Sequence, residues 1–142
     1  MEYPQLDRSR LHELANRYVN DAEVLLQNRR WASAYYLVGY AVECALKACL
    51  AKQRPQHDFP DRSESKQWYT HELRDLLKMA GLQVALEIDQ TSDSLRANWT
   101  KVVSTWRPES RYYQQTQPMA AEMFRAVSDT KEGVLQWLKQ HW

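Results

Sequence analysis

Two ionisable side chains interrupt the most apolar stretch of the chain. The run Ala32–Leu50 is apolar nearly all round a helix, yet it holds Glu43 and Lys47 one turn apart. Glu before Lys at i, i+4 is the favourable order for a helical ion pair. Placing such charges on a core helix costs free energy unless a partner answers them. Two readings follow. In one, the pair lies at the edge of a helical bundle, with the Lys47 stem on apolar surface and its ammonium in water. In the other, Glu43 faces a polar cleft and orients an arginine or a histidine. Tyr36 and Tyr40 share its helical face, which is then aromatic and polar together.

Arg111, Tyr112 and His71 are the residues best suited to act with that carboxylate. Arg111 lies beyond Pro108 in an aperiodic segment, where binding residues often sit. His71 falls at a predicted helix start, whose positive dipole end disfavours imidazolium. Convergence of Glu43, His71 and Arg111 would assemble a carboxylate, an imidazole and a guanidinium. A guanidinium that holds a phosphate and an imidazole that moves a proton are what metal-free RNA cleavage requires. The plain structural alternative is an ion pair from Arg111 to Glu43 or Glu109 that pins the loop. Arg8, Arg10, Arg17, Arg29 and Arg30, with Trp31 adjacent, would make a stacking and phosphate surface. Glu2, Asp7, Glu13, Asp21 and Glu23 are interspersed with them, which favours a solvated face of mixed sign. Trp99 and Trp106 are expected in the core; Trp68, Tyr69 and Trp142 suit an interface.

Other chemistries find no pattern here. His57, Asp58 and Asp61 have no specific metal-ligand spacing, and no zinc pattern occurs. Gly39, Gly81 and Gly133 are too dispersed for a phosphate loop, and there is no Gly-x-Ser-x-Gly elbow. Neither a metal nor a cofactor is expected.

Helices must position these side chains. A first helix is predicted over Arg8–Gln27, capped by Asp7 or Ser9, with Leu11, Leu14, Ala15, Tyr18, Ala22, Leu25 and Leu26 in one stripe. Asn28–Arg30 is a turn, and a second helix runs over Ala32–Lys52. The segment Arg54–Tyr69 is aperiodic and long enough to be functional or mobile. Thr70 is the expected cap of a helix carrying Leu73, Leu76 and Leu77 and ending at Gly81, a suitable C′ residue. Leu82–Ile88 reads as another short helix. From Asp93, Leu95, Trp99, Val102, Val103 and Trp106 form a stripe that Pro108 stops. Arg107–Gln117 is a second loop. Pro118 opens one last helix, with Ala120, Met123, Phe124, Val127, Val134 and Leu138 facing inward. The expected fold is all-α: an antiparallel four-helix up-and-down bundle with one or two extra short helices, in a single domain over residues 1–142.

Composition agrees with that class. The chain has 142 residues, 44% of them hydrophobic, and only three glycines. Its net charge of +1 gives no bulk field to attract nucleic acid or anionic lipid, though local clusters can bind phosphate. Residues 1–10 do not read as a signal peptide. Ala32–Leu50 approaches spanning length, but charges near mid-span cost about 2.5–3.5 kcal/mol each, so no membrane is expected. Cys44 and Cys49 point about 140° apart on a helix and cannot pair. Buried free thiols fit a reducing cytoplasm.

The segment Ala34-Tyr35-Tyr36-Leu37-Val38-Gly39-Tyr40-Ala41-Val42-Glu43-Cys44-Ala45-Leu46-Lys47-Ala48 resembles the central helix of HEPN-domain proteins. Thr70-His71-Glu72-Leu73 with Leu76-Leu77, and Trp106-Arg107-Pro108-Glu109-Ser110-Arg111-Tyr112, fit the same family. The resemblance covers about Ala22–Val127. It implies a small up-and-down helical bundle that often dimerises, in toxin–antitoxin, defence or mobile-element settings. Many such proteins are metal-independent RNases; others bind nucleotides or RNA, often beside a nucleotidyltransferase-like partner. Nuclease-type members carry an Arg and a His with four to six residues between them. No histidine of this chain meets that spacing, which weighs against RNase activity. The expectation is a cytoplasmic, homodimeric binding module for a nucleotide, RNA or a partner protein. Its binding residues would be Glu43, Lys47, Tyr36, Tyr40, His71, Glu109, Arg111 and Tyr112. The alternatives are a divergent RNase using Arg111 and His71, and a purely structural accessory subunit.

Overall fold

The computed structural model describes residues 5–89 and 92–142. The regular structure of those residues is all helical, with no β-strand beyond an isolated bridge between Asp7 and Asp58. Helix α1 spans Arg8–Gln27 and α2 spans Trp31–Lys52. The Asp7 carboxylate caps α1 by accepting the Arg10 N–H at 2.8 Å. At the other end Arg29 N–H bonds Leu26 O and Arg30 N–H bonds Leu25 O, a Schellman motif. Its C′ residue is Arg29, held at φ 59°, where a glycine would carry no steric cost. The turn folds α2 back along α1.

Helix α2 is the centre of the core. Every residue from Ala41 to Ala51 is buried, because α1, α3 (Leu73–Met79), α6 (Gln117–Ser128), α7 (Val134–Lys139) and the segment after α5 (Asp93–Thr105) all pack on it. By length and composition α2 could cross a membrane, but 83% of its apolar window is covered by the rest of the fold. Close approach is set by its small residues. Gly39 lies directly under the Trp106 indole: a Cβ there would fall 2.1 Å from the ring.

The segment between α2 and α3 is aperiodic, as its composition suggests, but it is tied down. Phe59 N–H bonds Leu6 O at 2.8 Å, Tyr69 hydroxyl bonds Pro60 O at 2.8 Å, and Arg54 clasps Asp58 and Glu64 at 2.8 and 3.0 Å. A 3-10 turn, Gln67–Tyr69, closes it. Helix α3 (Leu73–Met79) starts two residues later than a Thr70 cap would place it. Thr70 Oγ1 instead accepts the Glu72 N–H within a turn, and Glu72 holds the cap position. Gly81, at φ 73°, is the C′ residue of α3 as expected. Helix α4 is Gln83–Asp89, and α5 is Asp93–Thr105, capped by Ser92.

Two expectations fail at the C-terminal end. The loop after Trp106 contains a 3-10 helix, Pro108–Tyr112, in which Ser110 Oγ accepts the Arg107 N–H. The single last helix is two: α6 (Gln117–Ser128) and α7 (Val134–Lys139). Asp129 breaks it, because its carboxylate takes the N–H groups of Lys131 and Glu132 in competition with the helix. A side chain at Gly133 would meet Asp129 O at 2.5 Å. Glu132 then ties the break to α5 through bonds with Ser92 and Asn98. Three short α-helices therefore accompany the four longer ones.

Candidate functional site

One face of α2 gathers most of the chemistry-bearing residues. Tyr36, Tyr40, Glu43 and Lys47 follow each other at helical spacing, so the face runs from the start of the helix toward its end. Glu43 is only 1% exposed. Its two carboxylate oxygens are both answered. Oε1 lies 2.9 Å from His71 Nδ1, and Oε2 lies 3.4 Å from Lys47 Nζ. A carboxylate only accepts, so His71 Nδ1 carries the hydrogen in this pair. His71 lies two residues before α3, and its side chain remains 55% exposed while its partner is enclosed.

The bundle-edge reading of the ion pair fails. Lys47 does not reach into water: its side chain is 10% exposed. The tied-down segment covers it, placing the Phe59 and Tyr69 rings each 5.7 Å from Nζ. Those ring faces give the ammonium a second, weaker counterpart. The carboxylate and the two rings together offset the desolvation of a cation that a bare helix face would leave unpaired.

Arg111 does not join Glu43 and His71. Its guanidinium bonds the Tyr112 hydroxyl at 2.9 Å, lies 4.8 Å from that ring, and lines one cavity with Tyr36. The expected ion pair to Glu43 or Glu109 is therefore not what places it. Glu109 and Tyr112 are exposed, and Glu109 makes no ion pair among the described residues. Tyr36 and Glu43 are seven residues apart, so the Arg111 and His71 attachments are separated by about 10 Å of helix. That distance is too long for a single phosphate to bridge.

Aromatic rings fill the interval. Trp106 stacks on Tyr36 at 5.9 Å, Tyr36 lies 6.0 Å from Tyr40, and Tyr18 meets Tyr40 edge-on at 5.2 Å. Arg17 stands over Tyr18 at 5.6 Å. The Trp106 indole donates to Tyr36 O at 3.1 Å, which anchors the Arg107–Tyr112 segment to α2. Burial, reinforced by the Glu43 charge, pushes the Tyr40 phenol well above its ordinary value, so it stays neutral. A cavity of about 290 Å³ opens beside Tyr36, lined also by Ala32, Ser33, Leu37 and Arg111.

A HEPN domain model matches residues 9–141. The chain belongs to the HEPN domain family. No curated protein and no solved structure matches it. This HEPN domain thus carries its carboxylate–imidazole pair on α2 and the α3 approach, and its arginine on the 3-10 helix after α5. Asp58 and Asp61, weak metal candidates in the sequence, are otherwise engaged. Arg54 holds the Asp58 carboxyl below its ordinary value, and the Ser63 hydroxyl does the same for Asp61. No cluster of three metal-ligating side chains occurs among the described residues.

The sequence reading missed Phe59 and Tyr69 as the cover over Lys47, and Arg17 and Tyr18 as the flank of the aromatic row. Phe59 carried a usable signal, a lone large apolar residue in a polar segment. Tyr18 carried none, since it reads as one more member of the α1 stripe.

Proposed function

We propose that this HEPN domain is a binding module for single-stranded RNA or its nucleotides, used through the α2 face. The observation that supports it most is the His71–Glu43 pair. A buried carboxylate fixes an exposed imidazole at 2.9 Å, on the face that continues through Tyr40 and Tyr36 to Arg111. The bond satisfies the buried carboxylate, and it also orients the exposed ring in advance, from which a ligand-binding imidazole gains. Arg111 adds a fork for phosphate oxygens, and partly exposed tyrosines add ring faces for bases. With a net charge of +1, affinity rests on these local groups rather than on a long-range field.

The same reading includes the antiparallel four-helix arrangement, a homodimer, a cytoplasmic setting and a defence or toxin–antitoxin context, with a nucleotidyltransferase-like protein as the candidate partner. Exposed Tyr112, Tyr113 and Met119 are the apolar side chains a second subunit would cover. Titration of a fluorescent oligoribonucleotide over a salt series tests the main claim. Binding that weakens in His71→Ala and in Tyr36→Ala is expected, and a flat titration for the unmodified protein would overturn it.

The Glu43–His71 pair also favours a second reading, metal-independent RNA cleavage, with His71 Nε2 as base toward a ribose 2′-hydroxyl. The distance between the Arg111 and His71 attachments counts against it. RNA that survives incubation with the protein in chelator, or is cut equally by His71→Ala, removes that reading.

A further inference from the structure

The α1–α2 turn presents two adjacent exposed guanidinium groups. Arg29 and Arg30 are exposed, and neither they nor Arg111 makes an ion pair among the described residues. Arg10, by contrast, is paired with Glu13 at 2.9 Å, and Arg54 with Asp58 and Glu64. The mixed-sign neutralisation expected of the N-terminal arginines thus does not extend to the turn.

Those unpaired guanidinia border open space. A cavity of about 340 Å³ is lined by Arg29, Arg30, Trp31, Gln114 and Gln115, together with Ala32 and Ser33. The same Ala32 and Ser33 line the 290 Å³ cavity of Tyr36 and Arg111, so the two lie side by side as neighbouring lobes of one surface. The Gln115 side-chain oxygen on its wall is enclosed and has no donor. One lobe is arginine-rich and the other is walled by a tyrosine and an arginine. That division matches a ligand with a compact multiple charge at one end and a flat ring at the other.

We infer that this surface takes a nucleoside phosphomonoester: phosphate toward Arg29 and Arg30, base toward Tyr36. A terminal phosphate carries about −1.5 to −2 charge and three acceptor oxygens, against a single charge for an internal phosphodiester. Several guanidinium forks around one site therefore favour the terminal group. The inference rests on the reading that the α2 face binds RNA or nucleotides, and it makes the turn the place where a strand end, or a free nucleotide, is held.

The test uses internally labelled oligoribonucleotides ending in 5′-phosphate, 3′-phosphate or hydroxyl only, with AMP, adenosine and inorganic phosphate as competitors. One phosphate-ended strand is expected to bind about tenfold tighter than the hydroxyl-ended strand, and AMP to compete where adenosine does not. Arg30→Ala and Arg29→Gly should erase that preference, whereas His71→Ala weakens all strands alike. Arg29→Gly keeps the fold testable, because glycine suits φ 59° better than arginine. Strands that bind equally whatever their ends overturn this inference and leave the α2-face reading standing. Binding of AMP without any strand overturns the strand reading and keeps the cavity. Absence of binding by strands, AMP and phosphate overturns both.

Discussion

Replacing Gly39 by alanine should loosen both the core and the candidate site. A Cβ at Gly39 falls 2.1 Å from Trp106 Cδ1 and Nε1 and 2.4 Å from Cε2. Ordinary carbon contacts are about 3.5–4 Å, so the indole must move by more than an ångström. It has little room to do so, being 3% exposed and stacked on Tyr36. Overpacking costs about 1–3 kcal/mol. Loss of the indole bond to Tyr36 O adds about 1 kcal/mol or more. Alanine is the better helix former by about 1 kcal/mol, which offsets part of this. The net expectation is about 1–3 kcal/mol of destabilisation. Urea unfolding should show a lower midpoint at unchanged slope. Truncating the ring relieves the clash, so Gly39→Ala in a Trp106→Leu background should cost less than it does alone. Because Trp106 precedes the segment that carries Arg111, ligand binding should weaken as well. A midpoint equal to or above that of the unmodified protein would refute the close-contact argument.

Glu43→Gln removes the charge that both Lys47 and His71 answer; a loss of about 3 kcal/mol is expected, with changed His71 ring resonances by NMR as the local readout. Arg29→Gly should raise stability by about 1 kcal/mol, since it removes a side chain from a left-handed backbone position; a lower thermal midpoint would contradict that assignment. Burial pushes the Cys44 and Cys49 thiols up to about 12, so labelling by a thiol reagent at pH 8 should await unfolding, and fast labelling of the native protein would refute it. The Asp58 carboxyl sits below its unfolded value because Arg54 bonds it. Its contribution is therefore full above about pH 4 and is lost as pH falls through the lowered value. Hydrogen exchange in residues 54–64 should rise in acid before the α2 amides respond. Light scattering that finds only monomer at high concentration would remove the proposed homodimer.

Much of the helical layout was legible locally. Asp7 and Gly81 sit at helix ends because side-chain oxygens and positive φ act over a few residues. The Asp129 break was not legible, because Val134 and Leu138 continue the apolar rhythm of α6 across it. Periodicity records which face is buried, not whether the backbone is continuous. The alternative reading of Glu43 with a histidine was open in the sequence, since a buried carboxylate must find donors. Which donors it finds depends on residues twenty-eight positions away.

By itself the sequence determined the all-α class, the central place of α2, and the demand of Glu43 and Lys47 for partners. These follow from composition, helical period and the cost of burying charge, none of which needs long-range geometry. Only the tertiary structure decided that His71 answers Glu43, that Phe59 and Tyr69 cover Lys47, and that Arg111 goes to Tyr112 beside Tyr36 instead. Each of these depends on where two loops land against α2. That placement is set by distant anchors, Phe59 on Leu6 and Trp106 on Gly39, which no local pattern records.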